Sequence, residues 1–459
     1  MKDKALYRRA LGFAIPMMIQ NGITNAVNLV DNVMVGSLGT EAMTGVAIIG
    51  QLIFVFNLAI FGGLSGPGIY GAQFYGQGSK ENFRASVRMK AWICLVCLLG
   101  GLLAFRLFDD PLIHLYLHGE SADINKELTI QYAKQYLSVM LMGLPPFVIT
   151  QVYAGSLRET GKSVLPMIAG IVSVATDIVF NYLLIYGKFG FPMLGVRGAA
   201  IATVIARYIE CAVLLLWTHC TISKHPFLQG VWSTFKLPKE LVLKMLRKSL
   251  PIFFNEFLWA AGLAAMTQCY GIRGLEIVAG MNISNVICNL MNVVFVALGN
   301  AVGILSGQTL GAAKPEQAKS DAFKLMWFTG FVTAGISVIL IAVSEFFPRF
   351  YDTSEQVRTY AANFIRINAL FFPVQGFLNA LYFTLRSGGK TLITFLFDSV
   401  YSWTIIVPTA FLICNFTAIP IYGVYTIILS FDIIKVIIGY ILIQKGVWIS
   451  NLAKEISEI

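Results

Sequence analysis

Charge is what this sequence lacks most. Only 13% of its 459 residues are Asp, Glu, Lys or Arg, whereas 57% are hydrophobic and the mean hydropathy is +0.72. A soluble domain carries about 25% charge, so a soluble globular chain is excluded and a polytopic membrane protein is implied. Cysteine is sparse as well: the seven lie almost wholly in apolar stretches. Cys94 and Cys97 form a lone CxxC with no second pair, which reads as helix packing rather than a redox or zinc motif. His114 and His118 are spaced i,i+4 but have no third ligand, so no metal centre is expected. No nucleophile–base or metal constellation stands out either, which argues against an enzyme.

Acidic residues are outnumbered 24 to 34 by Lys and Arg, giving a net charge of +10. Their placement argues against a nucleic-acid binder. Basic residues concentrate on alternate connections between apolar stretches, roughly 23 on one side against 9 on the other, the asymmetry of cytoplasmic loops. Both termini are therefore expected in the cytoplasm. The first apolar stretch is too long for a signal peptide and contains Pro16 and Asp31, so it is expected to persist as a span.

Twelve transmembrane helices are expected, near 8–36, 42–75, 84–107, 127–157, 163–186, 196–222, 242–270, 276–310, 316–346, 355–385, 391–414 and 421–444. Breakers such as GSLGTE, YGQGSKEN, LRETGK and LRSGGK separate them. GSLRETGKS (Gly155 to Ser163) imitates a phosphate-binding loop, but has five residues between its glycines and lies between two spans. The longest cytoplasmic connection, 223–240, carries Pro, Trp, Phe and Lys and reads as an interfacial strap. It divides the chain into lobes 1–222 and 241–459.

The two lobes repeat. A shift of 235 positions pairs Pro16 with Pro251, Gly36 with Gly271, Gly45 with Gly280, Gly68 with Gly303, Gln73 with Gln308 and Gly76 with Gly311. A shift of 228 then pairs Pro145 with Pro373, Leu157-Arg158 with Leu385-Arg386, and Gly161-Lys162 with Gly389-Lys390. Six helices per repeat keep both halves in one orientation, around an axis along the membrane normal. Two such halves suit alternating access, and their glycines and prolines suit bends and close helix contacts.

A carboxylate at membrane depth costs at least ~2.5–3.5 kcal/mol, so each needs a reason. Arg207 and Glu210, and likewise Asp432 and Lys435, are spaced i,i+3 and are expected to neutralise each other. Asp31, Asp177, Glu256 and Asp398 have no such local partner. Asp31 is ~8 Å of helix from the nearest loop, so it could cap or pair at the interface, or bind a cation. Asp177 and Asn181 share a helix face, and with Asp31 and Thr203 they fall at similar depth in the outer part of the first half. Two carboxylates, an amide and a hydroxyl are hard oxygen ligands for a small cation, and close carboxylates also attract a proton.

The VDNVMVG element after a proline-bearing helix, the paired LR-x-x-GK turns, NYLLIYG, GVRGAAIAT and the twofold six-helix repeat resemble the multidrug and toxic compound extrusion (MATE) transporters. The resemblance covers essentially the whole chain. It implies an all-α, V-shaped pair of six-helix bundles in the bacterial inner membrane, with no cofactor. It further implies export of amphipathic, often cationic small molecules against entry of Na⁺ or H⁺, by a monomer. Asp31, Asp177, Asn181 and Thr203 match the family's N-lobe cation site, and Pro16 matches the proline at which the first helix bends. Archaeal-type members place Asn before Asp on the fifth helix, the reverse of Asp177 and Asn181 here. Glu256 matches the seventh-helix carboxylate that has a coupling role in another branch, whose tenth-helix Asp is replaced here by Gln375, so a C-lobe coupling site would be incomplete. Asp398 would be a cavity residue. The rival reading, a lipid-linked precursor flippase of the same superfamily, calls for a basic cavity.

Overall fold

The computed structural model describes residues 2–116 and 125–457; His118, Glu120 and Asp123 lie outside the described residues. Twelve long helices dominate it. They are α1 (Lys2–Gly36), α2 (Thr40–Gln77), α3 (Lys80–Leu107), α4 (Lys126–Glu159), α5 (Val164–Tyr186) and α6 (Val196–Cys220). The second repeat supplies α7 (Lys239–Gly271), α8 (Leu275–Gly311), α9 (Pro315–Val343), α10 (Glu355–Ser387), α11 (Thr391–Phe416) and α12 (Ile421–Gln444). Eleven of these, α2 to α12, are long and apolar enough to cross a membrane. The helix α1 is long enough but more polar, because Gln20, Asn21, Asn25, Asn28, Asp31 and Asn32 crowd its second half. Short helices Asp109–His114 and Leu452–Ser457 flank the bundle helices.

The sequence repeat reappears as repeated turn chemistry. Gly39 and Gly274, 235 positions apart, both have positive φ, at 116° and 138°. The LR-x-x-GK turns end α4 and α10 in the same way. Gly161 and Gly389 adopt left-handed φ of 83° and 72°, and the next amide bonds back to Leu157 or Leu385. A side chain at either glycine would be strained, so the glycine is what lets the helix stop there.

The chain forms two compact units. One comprises Met1–Met18, Ala72–Ser79 and Leu243–Ile459; the other comprises Ile19–Gly71 and Lys80–Val242. The divisions within α1 and α2 fall shortly after Pro16 and Pro67.

In the first unit, Ala10, Phe13, Ala14 and Met17 pack with Ala297, Leu298, Leu305, Met326, Leu381 and the wholly buried Trp448. Here the ends of α2 and α8 cross with repeat-related contacts. A Cβ on Gly76 would strike the Gln308 carbonyl, and a Cβ on Gly311 would strike the Gln73 carbonyl. Only glycine permits this approach, and it is needed at both copies. The buried Gln73 amide then donates to the Ser387 and Ser450 carbonyls (2.9 and 3.1 Å) and accepts from the Leu452 amide (2.8 Å). One side chain thereby ties the end of α2 to the α10–α11 turn and to the C-terminal segment.

The second unit contains a buried ion pair that local spacing does not reveal. Lys90 on α3 reaches both carboxylate oxygens of Glu159 at 2.6 Å and the Ser156 hydroxyl at 3.2 Å. Gly68 and Gly71 on α2 make room for this carboxylate: a Cβ at Gly71 would collide with it. The strap also docks in this unit. Trp232 donates to the Tyr153 hydroxyl at 2.7 Å, and the Val231 carbonyl accepts from buried Arg88 at 2.7 Å.

Candidate cation and substrate sites

Four of the expected residues converge inside the second unit. Asp177 and Asn181 stand one turn apart on α5, whose i,i+4 spacing aligns them, and both are buried. The Asn181 amide nitrogen donates to Asp31 Oδ1 on α1 at 2.8 Å and to Asp177 Oδ2 at 3.4 Å. One amide thus holds two carboxylates together. That contact also fixes the amide orientation, because only its nitrogen can donate. Thr203 on α6 adjoins Asp177 and Tyr136, and its hydroxyl donates to the Ala199 carbonyl at 3.2 Å. Ser173, one turn before Asp177, donates to the Ala206 carbonyl at 3.0 Å and sets the register of α5 against α6.

Two oxygens in this cluster are unsatisfied. Asp177 Oδ1 and Asn181 Oδ1 are buried and, among the described residues, have no hydrogen-bond partner. Unpaired buried acceptors are costly and few in folded proteins. Both are hard oxygens, the donor type that small cations accept. No group of three or more His, Cys, Asp or Glu suited to a resident metal occurs among the described residues.

Two further residues border the site that sequence reasoning did not place there. Tyr136 on α4 faces Asp31, Asp177 and Thr203. Arg207, one turn from Thr203 on α6, lies over the Phe147 ring at 5.1 Å and donates to the Gly143 carbonyl at 3.4 Å. Its charge acts on Asp177 and Tyr136 as well as on Glu210, so it does not serve its i,i+3 neighbour alone. No sequence signal marks Tyr136. Arg207 was visible as a charge, but its reach across α5 and α4 was not. Beyond the site, Met34, Val35, Ile185 and Ala199 form an apolar cluster against which Tyr136 and Tyr186 pack.

The second repeat has no copy of this site: Met266, Ile405, Thr409 and Phe431 stand where Asp31, Asp177, Asn181 and Thr203 stand in the first. It has a different ionic cluster, all within the first unit. Asp398 on α11 takes the Lys435 ammonium from α12 at 3.2 Å and the Asn255 amide from α7 at 3.2 Å. Glu256 on α7 pairs with Arg386 on α10 at 3.8 Å, and Gln375 lies beside Asp432. Glu256 and Asp398 are therefore not unpartnered, as helix spacing implied; their partners come from other helices. Likewise Lys435 bonds Asp398 and the Ser402 hydroxyl (3.3 Å) rather than its i,i+3 neighbour Asp432. Two π-helical turns, Leu396–Val400 and Ser402–Ile406, alter the phase of α11 around Asp398, and a 3.6-residue reading cannot anticipate that.

This is the architecture of a polytopic membrane transporter built from parallel repeats. The chain belongs to the MatE family, whose sequence profile matches residues 16–183 and 251–412. The probable multidrug resistance protein YoeA of Bacillus subtilis is 27% identical over 425 residues, covering 92% of this chain and 90% of its own. The probable multidrug resistance protein NorM of Thermotoga maritima is 25% identical over 455 residues, with 96% and 93% covered. Among solved structures, the Vibrio cholerae MATE transporter VcmN shares the fold with a TM-score of 0.85 at 16% identity, covering 97% of each chain. A Pyrococcus furiosus transporter of the MOP superfamily gives 0.84 at 18% identity, covering 96% of this chain and 95% of its own.

Proposed function

We propose that this chain is a cation-coupled antiporter that exports amphipathic, cationic small molecules by alternating access. The observation that carries the reading is the pair of unsatisfied oxygens on Asp177 and Asn181, held beside Asp31 by one shared amide. A bound Na⁺ satisfies them as ligands; a proton instead relieves the repulsion between two neighbouring carboxylates. Both ions compete for one site, and each favours the state in which the site is closed. Substrate binding favours the opposite state, so that cation entry drives export. The names of the relatives, multidrug resistance proteins, support a small-molecule substrate. The exporter works as a monomer in the bacterial plasma membrane with both termini cytoplasmic, through lobes 1–222 and 241–459 joined by the strap 223–240. Pro16 supplies the flexible point of α1, since it removes one backbone hydrogen bond from the helix.

The flippase reading asks for basic groups that can receive phosphate. Arg386 and Lys435, the buried basic residues of the second repeat among the described residues, instead face carboxylates, which favours the exporter.

Reconstitution in proteoliposomes with an imposed Na⁺ or H⁺ gradient tests the proposal. Asp31→Asn is expected to abolish gradient-driven efflux, and Asp177→Asn to weaken its cation dependence. Coupled efflux by Asp31→Asn close to that of the unaltered protein would sink the assignment.

A further inference from the structure

The repeat shift of 228 continues into the last helix: Gly195-Val196 corresponds to Gly423-Val424, and Arg207 to Lys435. Each repeat thus places one basic residue at the same point of its sixth helix. Their surroundings differ. Arg207 is held by the Gly143 carbonyl and the Phe147 ring. Lys435 is inserted directly onto a carboxylate, Asp398, at the position of Gly170 in the first repeat.

The environment of Asp398 resembles a binding position with its ligand built in. The Lys435 side chain is 6% exposed, whereas that of Asp398 is 25% exposed, so the carboxylate remains reachable while the ammonium does not. Asn255, itself buried, donates to Asp398 Oδ2 and to the Tyr382 hydroxyl, and accepts from Ser399 at 2.7 Å, which fixes the carboxylate against α7. The Tyr401 ring stands 5.5 Å from the Lys435 ammonium, a carboxylate-plus-aromatic setting suited to organic cations. Lys435 also has a second perch. Asp432 lies three residues before it on α12, the spacing at which two side chains on one helix face can meet. The ammonium can therefore leave Asp398 without becoming an unpaired buried charge, the event that makes most buried pairs inert.

We propose that Asp398 anchors the ammonium group of a cationic substrate, and that Lys435 keeps this position as a tethered competitor that moves to Asp432 when such a group arrives. The inference rests on the reading of the chain as an exporter of amphipathic cations. The exchange swaps one ammonium for another at Asp398, so the carboxylate is never left bare.

The test uses the full-length purified chain, with n-butylammonium as a stand-in for the lysine side chain and ethidium as the amphipathic cation. Lys435→Ala is expected to bind ethidium about tenfold tighter than the unaltered protein, the gain from removing a competitor present about nine-tenths of the time. The melting temperature of Lys435→Ala is expected to rise with n-butylammonium, and that of Lys435→Ala/Asp398→Asn to remain unmoved. Unchanged ethidium affinity, or a melting temperature indifferent to n-butylammonium, overturns the proposal. Should Lys435→Ala fail to fold, Asp432→Asn serves instead. It removes the second perch and is expected to weaken ethidium binding several-fold, and unaltered affinity again overturns the proposal. Absence of ethidium efflux by the unaltered protein, alongside n-butylammonium stabilisation of Lys435→Ala, would refute the exporter reading while leaving Asp398 as a cation position.

Discussion

Asn181 is the most economical point at which to break the first-repeat site. Its nitrogen is shared between Asp31 and Asp177, at 2.8 and 3.4 Å, and its oxygen is one of the two unsatisfied acceptors. Asn181→Leu keeps the volume and removes both functions. A hydrogen bond to a charged group contributes about 1.5–3 kcal/mol. Losing the bond that holds the carboxylates together should thus weaken cation binding roughly 10- to 100-fold. The assay is efflux by proteoliposomes at varied Na⁺, and at varied pH without Na⁺, read as the cation concentration giving half-maximal rate. On the proposed function that concentration should rise, while the rate at saturating cation changes less, because that proposal puts the substituted group against the ion and not the substrate. Asn181→Asp should behave differently: a third carboxylate raises proton affinity and shifts coupling toward H⁺. A half-maximal concentration within about twofold of the unaltered value in Asn181→Leu would refute the reasoning.

Other consequences concern the scaffold. Lys90→Met removes the ammonium paired with the buried Glu159 carboxylate and should cost about 3–5 kcal/mol, whereas Lys90→Met/Glu159→Leu should recover most of that loss, read as melting temperature. Gly311→Val forces a side chain into the Gln73 carbonyl and should destabilise by about 1–3 kcal/mol or more. Gly335→Ala, where nothing lies within 4 Å, should be neutral or slightly stabilising in the same measurement. In the strap, half-buried His225 is held below its ordinary value of 6.5 by burial and by Lys162 and Lys224. The folded state therefore binds its proton less readily than the unfolded state, so stability should fall as pH drops below about 6.5. His225→Gln should flatten that part of the stability–pH curve.

The protein's helices and their repetition were legible in the residues themselves. Hydrophobic runs of membrane length, broken by glycine-rich turns, place α2 to α12 within a few residues of their observed ends, because length and apolarity are local properties. The matched glycines prove to be matched backbone requirements: positive φ at Gly161 and Gly389, close approach at Gly76 and Gly311. Helix rise and the i,i+4 rule put Asp31, Asp177, Asn181 and Thr203 at similar depth, and the fold brings them into proximity, since depth and face along one helix follow from counting.

What counting could not supply was which side chains meet across helices. The i,i+3 rule assigned Lys435 to Asp432, but α11 brings Asp398 to it, and the π-helical turns that do so leave no simple trace in composition. Glu256 gained Arg386, and Lys90 gained Glu159, from helices distant in sequence. In a low-dielectric interior a buried charge takes whatever opposite charge the packing delivers. Sequence determined which charges enter the bundle and at what depth. Tertiary structure alone decided that Asp398 and Glu256 of the second repeat pair with its own lysine and arginine, and that two buried oxygens of the first repeat, on Asp177 and Asn181, receive no hydrogen bond among the described residues.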